Sequence, residues 1–168
     1  LPLPVPTATA APTPAVDIAF QATKTVAQDN IGGDALITFD NEVLDDSDSY
    51  DPSTSTFTAP VGGLYLFLFT VYSGTNDGRI VAELWIDGRY DGDGAAYFGI
   101  QGVGWQEGNG FTYVNLTAGQ TVSVHTTSHT GSNADISNTG CQFAGYLISE
   151  QAEHEVAFQA HATAAATN

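Results

Sequence analysis

Residues 39–69 read FDNEVLDDSDSYDPSTSTFTAPVGGLYLFLF, and the reading of this stretch decides the fold. Phe39, Tyr50, Phe57, Tyr65, Phe67 and Phe69 are its apolar anchors, and Asp45, Pro60 and Gly63 punctuate them. Asp40–Asp48 reads as an acidic loop, in which Asp45 is placed to cap a turn. Tyr50–Thr54 reads as a turn into a short strand at Thr56–Thr58, after which Pro60 and Gly62-Gly63 break the chain. Leu64–Tyr72 is nearly unbroken in its apolar residues, which predicts a strand buried on both faces.

Outward from this stretch the signals are again of strands and turns. Ile18–Thr23 and Leu36–Phe39 read as strands on either side of a turn at 27–35. Ser73–Gly78 reads as a loop. Asp87-Gly88, flanked by β-formers in RIVAELWIDGRY (79–90), predicts a tight hairpin, because a type I′ turn needs positive φ at both central residues. The Gly-rich 91–110 reads as largely loop, with a short strand near Tyr97–Ile100. Strands follow at Phe111–Leu116, at Thr121–Thr126 and at Cys141–Ser149, with a turn at Thr117–Gln120 and a polar loop at 128–139. No segment of 17–150 carries a helical pattern, so the fold class is all-β and antiparallel.

A chain of 168 residues with 42% hydrophobic residues accommodates one domain with a true core. Residues 1–16 hold five of the seven prolines and read as an extended arm or linker; residues 17–150 form the domain and residues 151–168 a tail. Lys24, Arg79 and Arg89 are the only basic residues against 19 acids, a formal net charge of −16. Nucleic acid and anionic membrane surfaces are therefore poor partners. No apolar run approaches the ~20 residues a membrane span needs. Cys141 stands alone, which rules out a disulfide within one chain and leaves a buried thiol, the commoner state, or pairing between chains. The chain opens at Leu1 and shows no signal peptide, which reads as a processed product. The tail contains EVAFQAHAT (155–163), an echo of DIAFQAT (17–23) one domain length earlier. Such a tail is either the start of a second domain or a copy of the first strand able to add to a neighbour's sheet edge.

The spacing of the opening stretch resembles that of the C1q domain family, part of the wider C1q/tumour-necrosis-factor group. The family pattern places Phe, Asn/Asp, an aromatic or Leu, Phe and Gly-x-Tyr-x-Phe-x-Phe/Tyr at set intervals. Phe39, Asp45, Tyr50, Phe57, Gly63, Tyr65, Phe67 and Phe69 keep every interval. Ile18–Ala22 resembles the opening Ala-Phe-x-Ala strand, and Leu84–Gly88 lies where the family has its Asn-Gly hairpin. Leu116–Val122 is similar to the Leu-x-x-Gly-Asp-x-Val turn with Gln120 in place of Asp, and Phe143–Leu147 to the closing strand. The resemblance covers 17–149, and the tail then resembles the opening of a second such domain; no collagen-type Gly-x-y run precedes the first. It implies a ten-stranded-type antiparallel jelly-roll sandwich, assembled as a trimer, with Tyr65, Phe67, Phe69 and Tyr146 in core or trimer contact.

No catalytic constellation is visible, so an enzyme is not expected. His125 and His129 lie four apart on a strand and its loop, not on one helix face, and have no Cys partners for zinc. There is no Gly-x-Ser-x-Gly elbow and no phosphate-cradling Gly loop. Calcium, which takes six to eight hard oxygen ligands, suits an acidic chain better. The first acidic cluster, Asp45, Asp46, Asp48 and Asp51, reads as a solvated loop. By resemblance, the metal positions are Asp91, Asp93 and Glu107, near the trimer axis. Asn115-Leu-Thr117 is an N-glycosylation sequon, and alternation with Leu116 turns Asn115 outward. The expected function is that of a secreted, non-enzymatic recognition module binding carbohydrate or protein through exposed loops, with calcium assisting. The alternative is a structural extracellular protein, an acidic matrix component or a fibre subunit joined through the tail repeat.

Overall fold

The computed structural model describes residues 17–90, 97–130 and 134–151; side chains are described at all of these except 75–79, 97–103, 127–130 and 134. The arm at 1–16, the repeat in the tail, Asp91 and Asp93 lie outside the described residues. Ten strands follow one another: β1 Ala19–Thr23, β2 Gln28–Ile31, β3 Asn41–Asp45, β4 Tyr50–Asp51, β5 Thr56–Thr58, β6 Gly63–Ile86, β7 Tyr97–Leu116, β8 Thr121–Thr130, β9 Ala134–Ile136 and β10 Gln142–Glu150. Every pairing between them is antiparallel.

The two long strands, β6 and β7, carry the chain from one layer to the other. The first half of β6 pairs with β10 on one side and with the second half of β7 on the other, in the order β3-β1-β10-β6-β7. Its second half pairs with β8 and with the first half of β7, giving β4-β5-β8-β6-β7. At the crossing, Ser73 and Gly74 pair with β9, which also pairs with β2. The register of β6 against β7 shifts between Thr75 and Gly78. Tyr65, Phe67, Phe69 and Val71 face the core before the shift, and Ile80, Ala82 and Leu84 after it. The inward positions thus change from odd to even, as a bulge requires when it adds a residue to one strand.

Aromatic rings join the layers. Phe20 of β1 stacks on Phe57 of β5 at 5.0 Å and on Tyr50 of β4 at 4.9 Å, and Phe57 meets Tyr65 and Phe67 at 5.5 and 5.4 Å. The opening stretch supplies the fixings around these rings. Asp45 accepts hydrogen bonds from the Tyr50 N–H (2.7 Å), the Ser47 N–H (3.2 Å) and the Ser49 hydroxyl (3.1 Å), and so closes the turn between β3 and β4. The Tyr50 hydroxyl donates to the Phe39 carbonyl at 2.8 Å, and the Phe39 N–H to Ser55 Oγ at 2.9 Å. Buried polar groups are paired in this way because an unpaired one costs about 1–3 kcal/mol. Lys24 is buried too, its ammonium donating to Gln28 Oε1, Thr38 Oγ1 and the Thr38 carbonyl, and burial lowers its pKa.

The turns follow their residues. Asp87 and Gly88 have φ of 51° and 70°, and Ile86 and Arg89 exchange both backbone hydrogen bonds, as in a type I′ hairpin. Gln120 links its turn to the hairpin: its Oε1 accepts from the Thr117 N–H (2.9 Å) and its Nε2 donates to Asp87 (3.0 Å). Asp87 also accepts from the Thr121 N–H, so two turns are tied together.

Several local expectations are corrected. The turn at 27–35 contains β2, the acidic loop contains β3, and the polar loop at 128–139 contains the end of β8 and all of β9. Leu36–Phe39 is not a strand but a single bridge from Leu36 to His125. Ser73–Gly78 lies within continuous β6, and 97–110 within continuous β7. Where a strand replaces an expected loop, pairing with a partner strand outweighs weak local propensity; at Leu36–Phe39 the lack of a continuous partner leaves only a bridge.

Candidate functional site

The first layer has an open outer face. Alternation turns Leu66, Leu68, Thr70, Tyr72 and Gly74 of β6 away from the core, and the register sets them opposite Tyr113, Phe111, Asn109, Glu107 and Trp105 of β7. From the other side, Tyr146, Ala144 and Gln142 of β10 stand opposite Leu66, Leu68 and Thr70. Side by side these rows read Tyr146–Leu66–Tyr113, then Ala144–Leu68–Phe111, then Gln142–Thr70–Asn109.

The first two rows are apolar, and among the described residues most of their large side chains are exposed: Phe111 is 68% exposed, Tyr113 59%, Tyr146 42% and Leu68 41%, while Leu66 between its two tyrosines is buried. Ile148 and Leu44 extend the exposure, and two grooves of about 480 and 340 Å³ lie over β1–β10 and over β10–β6–β7. The expected burial of Leu64–Tyr72 on both faces therefore holds fully for the inner face, while on the outer face Leu66 and Thr70 are buried, Leu64 and Tyr72 half-buried and Leu68 exposed. Contiguous apolar surface rimmed by polar groups is the mark of an interaction site.

The third row is polar and internally bonded. Gln21 Nε2 donates to Gln142 Oε1 (3.4 Å), Gln142 Nε2 to Thr70 Oγ1 (3.4 Å), Thr70 Oγ1 to Asn109 Oδ1 (2.6 Å) and Asn109 Nδ2 to Glu107 Oε1 (3.4 Å). Beyond it, Tyr72 stacks on Trp105 at 5.5 Å, and the indole lies 3.1 Å from where a Cβ on Gly74 would stand. The face thus grades from apolar to hydrogen-bonding along the strands.

Of the residues singled out in the sequence, Tyr65, Phe67 and Phe69 are in the core and Tyr146 is on the open face. Asn115 is exposed at the end of β7, on that same face. Glu107 is exposed and accepts from Asn109, while its proposed co-ligands lie outside the described residues. Among the described residues no three His, Cys, Asp or Glu side chains are grouped to hold a metal. In the first acidic cluster, Asp45 and Asp51 accept bonds from their own turns, and those bonds hold the Asp51 pKa below the ordinary range. His125 stacks on Trp85 at 4.1 Å with an interplanar angle of 6°, and its Nε2 lies 3.1 Å from Ser123 Oγ. The Cys141 thiol is buried and bonded to the Tyr72 backbone, and burial raises its pKa. Exposed Leu68, Phe111 and Tyr113 are the face residues that sequence reasoning does not single out. Alternation in Phe111-Thr-Tyr-Val was the available signal, but it does not say which face is covered.

Two antiparallel layers bridged by long bent strands, with an aromatic core and an uncovered apolar face, define a jelly-roll domain of the associating kind. The chain belongs to the C1q family: the model of the C1q domain matches residues 19–148. Solved structures agree in fold. The globular domain of zebrafish complement 1qA protein superposes with a TM-score of 0.63 at 20% identity, covering 80% of this chain and 99% of that one. Murine APRIL gives 0.60 at 9% identity (79% and 100%), and Eiger TNF from S. frugiperda 0.56 at 13% (82% and 96%). No curated protein sequence matches the chain. Domains of this family are generally non-enzymatic binding modules, form trimers and are typically extracellular. No described helix is long and apolar enough to cross a membrane.

Proposed function

We propose that this is a secreted recognition module that trimerises through the open face of the β3-β1-β10-β6-β7 layer and takes a carbohydrate or protein ligand on its exposed loops. The observation that carries the reading is the pair of adjoining apolar rows, Tyr146–Leu66–Tyr113 and Ala144–Leu68–Phe111, at the centre of a rigid sheet. Burying such rows between copies removes apolar area from water at about 25 cal/mol per Å². Calcium is assigned to Asp91, Asp93 and Glu107, where threefold repetition of acids favours a cation.

Light scattering on the unglycosylated chain tests the assembly. The expected mass is three times 17.5 kDa, falling to one copy in the Phe111→Ser/Tyr113→Ser variant with its far-ultraviolet dichroism intact. Both side chains project into solvent in the single chain, so the fold tolerates the change. A single-copy mass for the unsubstituted chain carrying no glycan overturns the trimer.

A second reading, a fibre or matrix subunit, is favoured by one observation. Ile18, Phe20 and Ala22, the buried side chains of β1 and its approach, recur in the tail sequence as Val156, Phe158 and Ala160. A mass that grows with concentration and becomes fixed when residues 152–168 are removed would favour strand exchange over closed trimers.

A further inference from the structure

Asn115 lies beside the apolar rows. Along β7, Val114 and Leu116 pack against the core, so Phe111, Tyr113 and Asn115 all project from the open face. The partner of Asn115 on β6 is Leu64, one row from the Leu66–Tyr113 pair. Tyr113 is two residues away along an extended strand, about 7 Å. The Asn115 side-chain amide makes no hydrogen bond among the described residues, and among the described strands β7 pairs with β6 alone. Thr117, exposed at the turn, completes it.

We propose that a glycan on Asn115 blocks the open face, so that modification at this residue and trimerisation exclude one another. The proposal rests on the trimer reading above. In the modification, the Asn115 amide nitrogen forms a bond to the anomeric carbon of a lipid-pyrophosphate-linked oligosaccharide. The bond from that carbon to the pyrophosphate oxygen breaks, the lipid pyrophosphate leaves with the electron pair, and the amide gives up one proton. Nothing is oxidised or reduced. The product is bulky and hydrated, whereas an interface core packs as densely as a protein interior and excludes water. A glycan rooted one row from Tyr113 and Leu66 keeps those rows from closing. It leaves the single domain intact, because Asn115 is exposed and outside the core.

The test is made on the full chain expressed in a eukaryotic secretory host. Intact mass reports occupancy of Asn115, and light scattering reports assembly before and after enzymatic removal of the glycan, with Asn115→Gln from the same host as the unmodified control. The expected result is a single-copy mass for the glycosylated chain and a tripled mass for both the deglycosylated chain and the variant. A tripled mass with the glycan in place overturns the exclusion but leaves the trimer standing. An Asn115 left unmodified in that host overturns the site itself. A single-copy mass for all three samples overturns the trimer reading and the exclusion with it.

Discussion

His125 shows how one residue's surroundings set a pH dependence. Burial against Trp85 lowers its pKa below the ordinary 6.5, with the Asp34 backbone and carboxylate pulling the other way. The folded state therefore holds a neutral imidazole at a pH where the unfolded chain takes up a proton. Stability from this group is complete above 6.5 and is lost as pH falls toward the depressed folded value, by at most about 1.4 kcal/mol per pH unit. Asp40, Asp51 and Asp87 have the same sign in a lower window: hydrogen bonds from Thr25, Ser53, Thr121 and Gln120 hold their pKa values down, so their contribution is lost only as they protonate below the ordinary 3.8. Urea titrations from about pH 7.5 to about pH 5 should give a falling stability for the native chain. The His125→Gln variant should fall less over the same range. Comparing the two removes the relief of net negative charge on acidification, which both share. Parallel curves would mean that His125 is neutral to the fold.

Individual strands were legible in proportion to how local their causes are. The intervals from Phe39 to Phe69 and the Asp87-Gly88 turn depend on neighbours in sequence, and both were readable. The crossing of β6 and most of β7 were not, because their glycines look like loop residues until their partners are known. Gly110 lies under Phe69, and a Cβ there would stand 2.4 Å from the ring. Gly145 of β10 is cradled between Phe67 and Phe20, whose rings would stand 2.6 and 2.7 Å from a Cβ there. These are requirements of packing between strands far apart in sequence. The same holds for the open face: Leu68 reads as core, since apolar residues on both sides of a strand predict burial on both. Whether a second copy covers it is a property of the assembly. Gly145→Ala tests the packing account directly. The methyl must displace two rings already fixed by Tyr50, Phe57 and Phe143, so overpacking should destabilise the domain by about 1–3 kcal/mol. A change near zero in the urea midpoint would show that β10 can shift on β6 more freely than its hydrogen-bonded register suggests.

For the whole molecule, charge and assembly oppose each other. Each copy carries a formal −16, and a trimer carries three times that, while one of the three cations, Lys24, is buried within the fold. Self-repulsion on this scale weakens association and is screened over about 8 Å at physiological ionic strength. Monovalent salt alone should therefore strengthen the trimer. Calcium bound at Asp91, Asp93 and Glu107 would do more, because a ligand held only by the assembled state stabilises it by mass action, about 2.7 kcal/mol at a hundredfold excess over its dissociation constant. The two effects separate when calcium chloride is compared with sodium chloride at matched ionic strength. The dissociation midpoint should move further in calcium, and the excess should vanish in Asp91→Asn/Asp93→Asn/Glu107→Gln. That variant also removes negative charge, so it should assemble better than the native chain in sodium alone. Equal midpoints in the two salts would remove calcium from the account and leave screening as the sole ionic effect. An excess that survives the triple substitution would move the ion elsewhere in the assembly.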